Sequence, residues 1–242
     1  EKNKKILINW RFNSWAKYKN FKRDNSIINK IKHFSKFSSV SPTLDRKKVV
    51  LEGGAIDVNG KGALIATEEC LLGKVQQRNP GFKKKDYERL FYKYFGAQHV
   101  IWLKRGIVGD DTHGHVDDIA RFVSQDKIFL AHEKNKKDIN YKILKNNFNI
   151  VKKQDHLKNL KIIKIPMPKA KYIDGTRVPA TYLNFYIANK AVLVPIFNDK
   201  NDRLVLKIFK KHFKSRKIIP IDCTILIWGY GAIHCMTQQE PR

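Results

Sequence analysis

Two segments far apart in the chain carry the residue types from which a covalent site could be built. One is GDDTHGHVDD (109–118), which sets His115 and Asp117 two residues apart within an acidic patch. The other is GAIHCMTQQEP (231–241), which places Cys235 near the C-terminal end. A thiol becomes a strong nucleophile when a neighbouring base activates it, and clustered carboxylates attract a cation. Together these segments predict nucleophilic attack on a positively charged substrate.

The surroundings of Cys235 favour a reactive thiol. A lone cysteine is more often an inert core residue, but residues 237–240, which follow Cys235, are all polar. His234 precedes Cys235 directly. Because neighbours in a strand point to opposite faces, His234 is predicted to be a poor base for this thiol. His115 is the more plausible base.

The segment 109–118 supports three interpretations. As a metal site, it offers His113 and His115 together with hard carboxylate ligands. As a proton-transfer site, it uses His115 as the acid and base, and Asp117 as an anchoring or orienting group. As a helix start, its aspartates satisfy the free backbone amides of a helix that begins near His115 and carries the apolar residues of 119–123. Such a cap would also fix the position of His115.

Glu52 is a further candidate because of the residues on either side of it. It follows the apolar run Val49-Val50-Leu51 and precedes Gly53 and Gly54. A glutamate is almost never buried without a partner, so one interpretation is a strand-end residue that pairs with an arginine or a backbone amide. The double glycine lets a ligand or another backbone come close, which favours a site.

The composition is strongly basic, with 49 Lys and Arg against 22 Asp and Glu and a formal net charge of +27. Such a charge suggests nucleic acid or an anionic membrane as partner. The lysines are spread along the chain, however, and neither an arginine-rich arm nor a zinc-finger spacing is present. We therefore interpret them as a solvated surface and predict no nucleic-acid partner. No apolar run approaches the roughly 20 residues that cross a bilayer, so no membrane partner is predicted either.

The three cysteines show no pairing pattern, which is typical of a reducing compartment and predicts a cytoplasmic protein. Cys70 and Cys223 are interpreted as packing residues. Hydrophobic content of 42% over 242 residues is sufficient for a substantial core.

Two strand pairs of similar pattern stand out along the chain. Strands over 49–58 and 63–67 flank a turn, and strands over 182–187 and 191–197 flank a second turn. Each first strand carries one polar side chain, Glu52 in one and Asn184 in the other. Repeated hairpins followed by helices predict several modules around a centre. The remaining predicted elements are helices over 86–95, 138–153 and 202–213 and strands over 98–103, 127–131, 160–165 and 217–221.

Five stretches, in order along nearly the whole chain, resemble the agmatine deiminases, which are relatives of the Porphyromonas-type peptidylarginine deiminases in the guanidine-modifying superfamily. This resemblance implies an α/β pentein-type propeller, a pseudo-fivefold ring of ββαβ units around a central site. The stretches are FNSW (12–15), LEGGAIDVNGKGALIATEECLL (51–72), GIVGDDTHGHVDDIARFV (106–123), TYLNFYIANKAVLVPIF (181–197) and IHCMTQQEP (233–241).

The resemblance also implies a role for each matching residue and a site without metal or cofactor. The implied substrate is a small cationic guanidino compound, and a homodimer is an expected assembly. The implied roles are nucleophile for Cys235, general acid and base for His115, carboxylates flanking the guanidinium for Glu52 and Asp117, a contact towards the distal amine of the substrate for Asp111, and pocket lining for Asn184 and Gly231.

The chain departs from the family pattern in two places, and it is also more basic than the family usually is. The family's N-terminal module contains an Arg-Asp-x-Gly-Pro motif, and the nearest string here is Arg23-Asp24-Asn25. We therefore expect residues 1–242 to form a single catalytic domain that lacks the first module, so that the ring is incomplete at its N-terminus. The glycine-rich run before the nucleophile is also interrupted, since it reads Gly229-Tyr230-Gly231-Ala232.

The implied reaction is hydrolysis of agmatine to N-carbamoylputrescine and ammonia through a covalent amidino-thioether, a step of putrescine and polyamine biosynthesis. Two alternatives remain open. The chain could deiminate peptidyl or free arginine, or it could be an inactive remnant that acts as a basic binding module.

Overall fold

The computed structural model describes residues 5–154 and 159–240, so Pro241, at the end of the C-terminal motif, lies outside the described residues. The strands are β1 (Ile6–Ile8), β2 (Ser38–Val40), β3 (Thr43–Leu44), β4 (Lys47–Lys48), β5 (Ile56–Val58), β6 (Ala63–Thr67), β7 (His99–Leu103), β8 (Ala120–Ser124), β9 (Lys127–His132), β10 (Lys161–Pro166), β11 (Lys171–Ile173), β12 (Thr176–Val178), β13 (Tyr186–Ile187), β14 (Ala191–Ile196) and β15 (Lys217–Asp222). The helices are α1 (Ile27–Lys30), α2 (Glu68–Leu72), α3 (Lys84–Phe95), α4 (Ile139–Lys152) and α5 (Asp202–His212).

Three units of the same topology follow one another from β5 to β15. In each unit an antiparallel pair of strands is followed by a helical segment and by a third strand that runs parallel to the second. The units are β5–β6–β7 with α2 and α3, β8–β9–β10 with α4, and β13–β14–β15 with α5. The predicted ββαβ repeat is confirmed, and the structure contains one more copy of it than the two that the sequence pattern indicated.

Local sequence signals set the helix ends. Thr67 accepts a hydrogen bond from the backbone of Cys70 and so begins α2, and Asp138 begins α4 in the same way through Asn140. Gly96 ends α3 with a left-handed backbone at φ 65°. The longest of the described helices, α4, has 14 residues, and none is long and apolar enough to cross a membrane.

The predicted helix that begins near His115 is wrong. A single 3-10 turn (Val116–Asp118) is followed directly by β8, which pairs antiparallel with β9. Three consecutive residues of β8 are buried, including Arg121, whose guanidinium reaches Asp57. Because both faces of the strand are buried, its apolar residues do not alternate, and the spacing resembles that of a helix. The middle hairpin was missed for this reason.

The predicted first strands of the other two units are shorter than expected. β5 begins only at Ile56, because a 3-10 turn occupies Gly53–Ala55, and β13 begins only at Tyr186. Glu52 and Asn184 therefore lie just before the first strand of their unit. Asp117 lies just before β8 in the middle unit. Each unit thus delivers a polar side chain from the same topological position, which is how a repeated fold builds one site from several modules.

Two hydrophobic clusters support this arrangement. The larger extends over all three units and contains Phe129, Phe185 and Phe209, whose ring centroids lie 4.9 to 6.1 Å apart. The smaller belongs to the first unit and contains Tyr87, Phe91 and Cys70. The polar residues that precede the first strands lie where these packed units meet.

Candidate active site

The loop before His115 is held by one carboxylate. Asp110 accepts hydrogen bonds at 2.8 Å from the backbone amides of Thr112, Gly114 and His115. The predicted capping of free amides is therefore present, but it closes a loop and does not begin an α-helix. Closure of this loop fixes the backbone from which the His115 side chain projects.

Glu52 lies between an arginine and a histidine. Its Oε1 accepts a hydrogen bond from Nε of the buried Arg78 at 3.1 Å, and its Oε2 lies 3.6 Å from Nε2 of His115. Arg78 also donates to the carbonyl oxygens of Gln76 and Thr112, which connects Glu52 to the loop. Burial alone would raise the pKa of Glu52, but His115 and Arg78 hold it below its ordinary value. Glu52 is therefore a buried, charged carboxylate.

His115 is held in its charged form by its neighbours. Burial would lower the pKa of its imidazole, but Cys70 and Glu52 beside it raise this pKa well above the ordinary value. Possible ligand atoms of Glu52, Cys70 and His115 lie within 4.8 Å of one another. Cys70 is buried in the core, as predicted, and its thiol also contacts the site. An imidazolium at this position is a proton donor.

Asp117 is fully buried, and only one of its two carboxylate oxygens accepts hydrogen bonds. Its Oδ2 accepts hydrogen bonds from Asn184 Nδ2 at 3.1 Å and from His234 Nδ1 at 2.7 Å, whereas its Oδ1 has no partner. Burial would raise the pKa of Asp117, but the hydrogen bond from His234 and the nearby positive charges lower it. For the neighbouring Asp118, burial and then the charge of Asp117 raise the pKa well above its ordinary value. Of the two adjacent carboxyl groups, Asp117 is the charged one.

Cys235 lies in a 3-10 turn (His234–Met236), so the predicted strand at this position is wrong. Asn184 holds it at two points, because its Oδ1 accepts the Cys235 backbone amide at 3.2 Å and its Nδ2 lies 3.1 Å from Sγ. Cys235 is the exposed one of the three free cysteines. Desolvation of the sulfur, and then the charge of Asp117, raise the pKa of this thiol far above its ordinary value of 9.0. Without a bound cation the sulfur is a thiol.

Two glycines leave the space that these side chains need. A Cβ on Gly54 would lie 2.6 Å from His115 Nδ1 and 2.9 Å from Asp117 Oδ2. A Cβ on Gly231 would lie 3.1 Å from Cys235 Sγ. Gly54 therefore faces the acid/base candidate and the carboxylate together, and Gly231 keeps the approach to the sulfur open. The interruption of the glycine run at Tyr230 is accommodated by a left-handed backbone, with φ at 60°.

Six of the seven predicted site residues are thus brought together. Asp111 is engaged elsewhere, because its carboxylate binds the ammonium of Lys17 and accepts a hydrogen bond from Tyr18 Oη at 2.9 Å. His113 is absent from the potential metal-ligand cluster of the described residues, so the predicted pairing of His113 with His115 as ligands is not formed.

Two residues of the site were missed by sequence reasoning. His234 was assigned to the far face of a strand, and a 3-10 turn instead directs its imidazole at Asp117. Arg78, which pairs with Glu52, lies outside the predicted site residues, and its side chain is fully buried although an arginine is ordinarily exposed. The predicted arginine partner of a buried Glu52 is the one signal that could have led to it.

A groove of about 690 Å³ lies beside this site but contains none of the predicted residues. Arg11, Lys47 and Lys48 line it, and Arg78 forms part of its wall. A lining with three exposed cations is unsuited to a cationic substrate, so we do not assign the substrate to this groove.

Comparison with known proteins gives consistent matches. The family model described as Porphyromonas-type peptidyl-arginine deiminase matches residues 2–241. A Legionella pneumophila protein named "Putative agmatine deiminase" is 35% identical over 239 residues, which cover 97% of this chain and 67% of that protein. The structure of the agmatine deiminase of Enterococcus faecalis superposes with a TM-score of 0.87 at 30% identity, over 97% of this chain and 69% of that one.

A C. jejuni agmatine deiminase, solved with substrate bound, has a TM-score of 0.84 at 30% identity, over 96% of this chain and 66% of that one. The chain spans about two thirds of the length of each of these relatives. The predicted fold and the predicted family are both confirmed. The chain belongs to the Porphyromonas-type peptidyl-arginine deiminase family.

Proposed function

We propose that the chain is a deiminase of small guanidino compounds and that agmatine is its substrate. The observation that carries this proposal is that three buried polar atoms around the site lack a hydrogen bond. Oε2 of Glu52, Nε2 of His115 and Oδ1 of Asp117 have no hydrogen-bond partner. Buried polar atoms rarely lack a hydrogen bond, and two carboxylate oxygens without one suit a planar cation that donates several hydrogen bonds. Oε2 of Glu52 has only the ionic contact with His115 at 3.6 Å. The agmatine deiminases among the similar structures support the choice of substrate.

The first half-reaction uses Cys235 and His115. When the guanidinium binds, its charge lowers the pKa of the Cys235 thiol, which otherwise stands far above its ordinary value. The thiol proton passes to solvent, and the resulting thiolate attacks the guanidinium carbon and forms a C–S bond. His115, which the site keeps protonated, donates its proton to one terminal nitrogen. The C–N bond then breaks, ammonia leaves with that electron pair, and an amidino-thioether remains on the sulfur.

The second half-reaction reverses the roles. His115, now neutral, takes a proton from a water molecule as the water attacks the same carbon. The C–S bond breaks and the electron pair returns to sulfur. The remaining hydroxyl proton passes to that sulfur as the carbonyl forms, which restores the thiol and releases N-carbamoylputrescine. The amide Nδ2 of Asn184, 3.1 Å from Sγ, stabilises the thiolate that leaves. The net reaction consumes one water and produces one ammonia, without any redox change.

A second candidate substrate is arginine, free or within a peptide, and one observation favours it. The carboxylate of Asp111, which the family resemblance assigns to the distal amine of agmatine, is neutralised by the ammonium of Lys17. The ammonium of Lys17 competes with the ammonium of agmatine for this carboxylate. The carboxylate of free arginine would instead be attracted to Lys17.

The test is a colorimetric assay for the ureido product, with agmatine, arginine and N-acetylarginine amide as substrates. The proposal predicts product from agmatine, and none from any substrate when Cys235 is changed to alanine. Cys223→Ala is the matched control, because Cys223 is fully buried and lies outside the site. Activity that survives in Cys235→Ala would refute the mechanism. Greater turnover of arginine than of agmatine would select the second candidate.

A further inference from the structure

His234 occupies a defined place beside the reacting residues and has no role in the reaction as described. Its imidazole is 9% exposed and its Nδ1 lies 2.7 Å from Oδ2 of Asp117. Its backbone amide donates to the carbonyl of Asn184 at 3.0 Å, and its carbonyl accepts from Thr237. The backbone is held on both sides, so the ring has little freedom to leave Asp117.

The third partner of His234 determines where its proton lies. Nε2 of Gln239 lies 3.1 Å from Nε2 of the ring. An amide nitrogen can only donate a hydrogen bond, so the ring nitrogen that it faces must accept one. The ring proton is then on Nδ1, and this N–H donates to Asp117. An imidazole ring with this single proton carries no charge.

A neutral donor has a specific consequence for Asp117. It occupies Oδ2 together with Asn184 and leaves Oδ1 as the oxygen without a partner. It also adds no positive charge, so Asp117 keeps its full attraction for a cationic substrate. An imidazolium at the same distance would form an ion pair with Asp117 and would compete with that substrate.

Direct participation of His234 in the chemistry is not supported by its contacts. Among the described residues, its ring nitrogens contact Asp117 and Gln239, and neither is hydrogen-bonded to the sulfur of Cys235. The contacts of that sulfur are with Asn184 and Asp117. His234 therefore acts on the reaction through Asp117.

We propose that His234 is a positioning residue, held by Gln239 in its neutral Nδ1–H tautomer, which selects and orients the substrate-binding oxygen of Asp117. The inference rests on the proposed function for its effect on substrate, whereas the tautomer itself is a property of the protein alone. In this arrangement Cys235 reacts with the substrate, and His234 fixes the orientation of the Asp117 carboxylate.

The tautomer is measured without substrate. In protein labelled with ¹⁵N-histidine, long-range proton–nitrogen correlation spectra distinguish Nδ1–H, Nε2–H and doubly protonated rings, and the His234→Asn variant identifies the His234 signals by their loss. We expect the Nδ1–H form at neutral pH. An Nε2–H or doubly protonated ring would overturn the proposal. The result holds whether or not the chain turns over agmatine, so failure of the proposed function is distinguishable from failure of this inference.

The kinetic test compares two substitutions of His234. Asparagine keeps an N–H donor near the position of Nδ1 and should leave KM for agmatine within about threefold. Alanine removes the donor and should raise KM roughly tenfold to a hundredfold, the equivalent of one hydrogen bond to a charged group. Equal effects of the two variants would show that the donated hydrogen bond is not what matters.

The role of Gln239 gives a test that leaves the ring in place. In Gln239→Glu, a carboxylate facing Nε2 favours the imidazolium, which should raise KM for agmatine with little change in kcat. Gln238→Glu is the matched control, because it adds the same charge one residue away. A negative charge near the site would by itself attract agmatine and lower KM. A raised KM in Gln239→Glu alone therefore supports the proposal, and a lowered KM in both variants contradicts it.

Discussion

Adding one methyl group at Gly54 should disable the site while the fold remains. The Cβ of an alanine at this position would lie 2.6 Å from His115 Nδ1 and 2.9 Å from Asp117 Oδ2. Ordinary contact begins near 3.4 Å, so the imidazole must move by roughly 0.8 Å. His115 is 4% exposed and Asp117 is 0% exposed, so neither side chain has free space into which it can move.

The expected effect on catalysis follows from the size of this movement. A displacement of about 1 Å in a catalytic group costs on the order of a hundredfold in rate. We therefore expect kcat/KM for agmatine to fall about a hundredfold in Gly54→Ala. Overpacking a buried position also lowers the free energy of unfolding, by about 1–3 kcal/mol. Urea denaturation would measure this loss and would establish that the assayed variant is folded.

Gly53→Ala is the matched control for this substitution. Its Cβ would have a nearest atom 3.7 Å away, Oε1 of Gln238, which is an ordinary contact. Neither glycine has a positive φ, so alanine is compatible with the backbone at both positions. We expect Gly53→Ala to keep kcat/KM within about twofold. If the folded Gly54→Ala protein retains the kcat/KM of the Gly53→Ala protein, then the chemistry does not depend on the observed placement of His115 and Asp117.

Three further predictions follow from the charges around the site. Arg78→Met leaves the buried Glu52 without its arginine and should lower the free energy of unfolding by about 3–5 kcal/mol, as measured by urea denaturation; a loss below 1 kcal/mol would contradict the pairing. Lys17→Met frees Asp111, and it should raise kcat/KM for agmatine relative to arginine by roughly two- to fivefold, a small factor because this ion pair is partly exposed. The pKa of the Cys235 thiol is raised above 9.0, so its alkylation by iodoacetamide in the free protein should be slow at neutral pH. The rate of alkylation should still increase with pH beyond 9.0. A rate that reaches a plateau below pH 9.0 would refute the raised pKa.

The motif residues could be predicted from the sequence because they lie in short segments with distinctive composition. Glu52 beside two glycines, and His115 and Asp117 within one acidic loop, carry their signal locally. The way in which the three units bring them together is not local. Asn184 bonds to Asp117 across 67 residues of sequence and to Cys235 across 51. Such contacts are set by the packing of whole units.

The wrong predictions for β8 and for His234 have two physical causes. β8 is buried on both faces, so it lacks the alternation that marks a half-buried strand, and its apolar spacing predicts a helix instead. The prediction for His234 assumed a strand and therefore placed the ring opposite to the Cys235 side chain. In a 3-10 turn that relation does not hold, and the ring reaches Asp117 instead.

The occupied Asp111 illustrates a third limit. Its partner Lys17 lies 94 residues away and outside the motifs, so no pattern near Asp111 indicates that an internal cation occupies the carboxylate.

Covalent catalysis by Cys235 can be observed by intact-mass spectrometry of protein quenched with acid during turnover of agmatine. We expect an adduct whose mass equals agmatine minus ammonia, present in Cys223→Ala and missing from Cys235→Ala. An adduct that persists in Cys235→Ala would contradict covalent catalysis by Cys235. Turnover of agmatine with no adduct, both in the wild-type protein and in a slowed Asn184→Ala variant, would also contradict it.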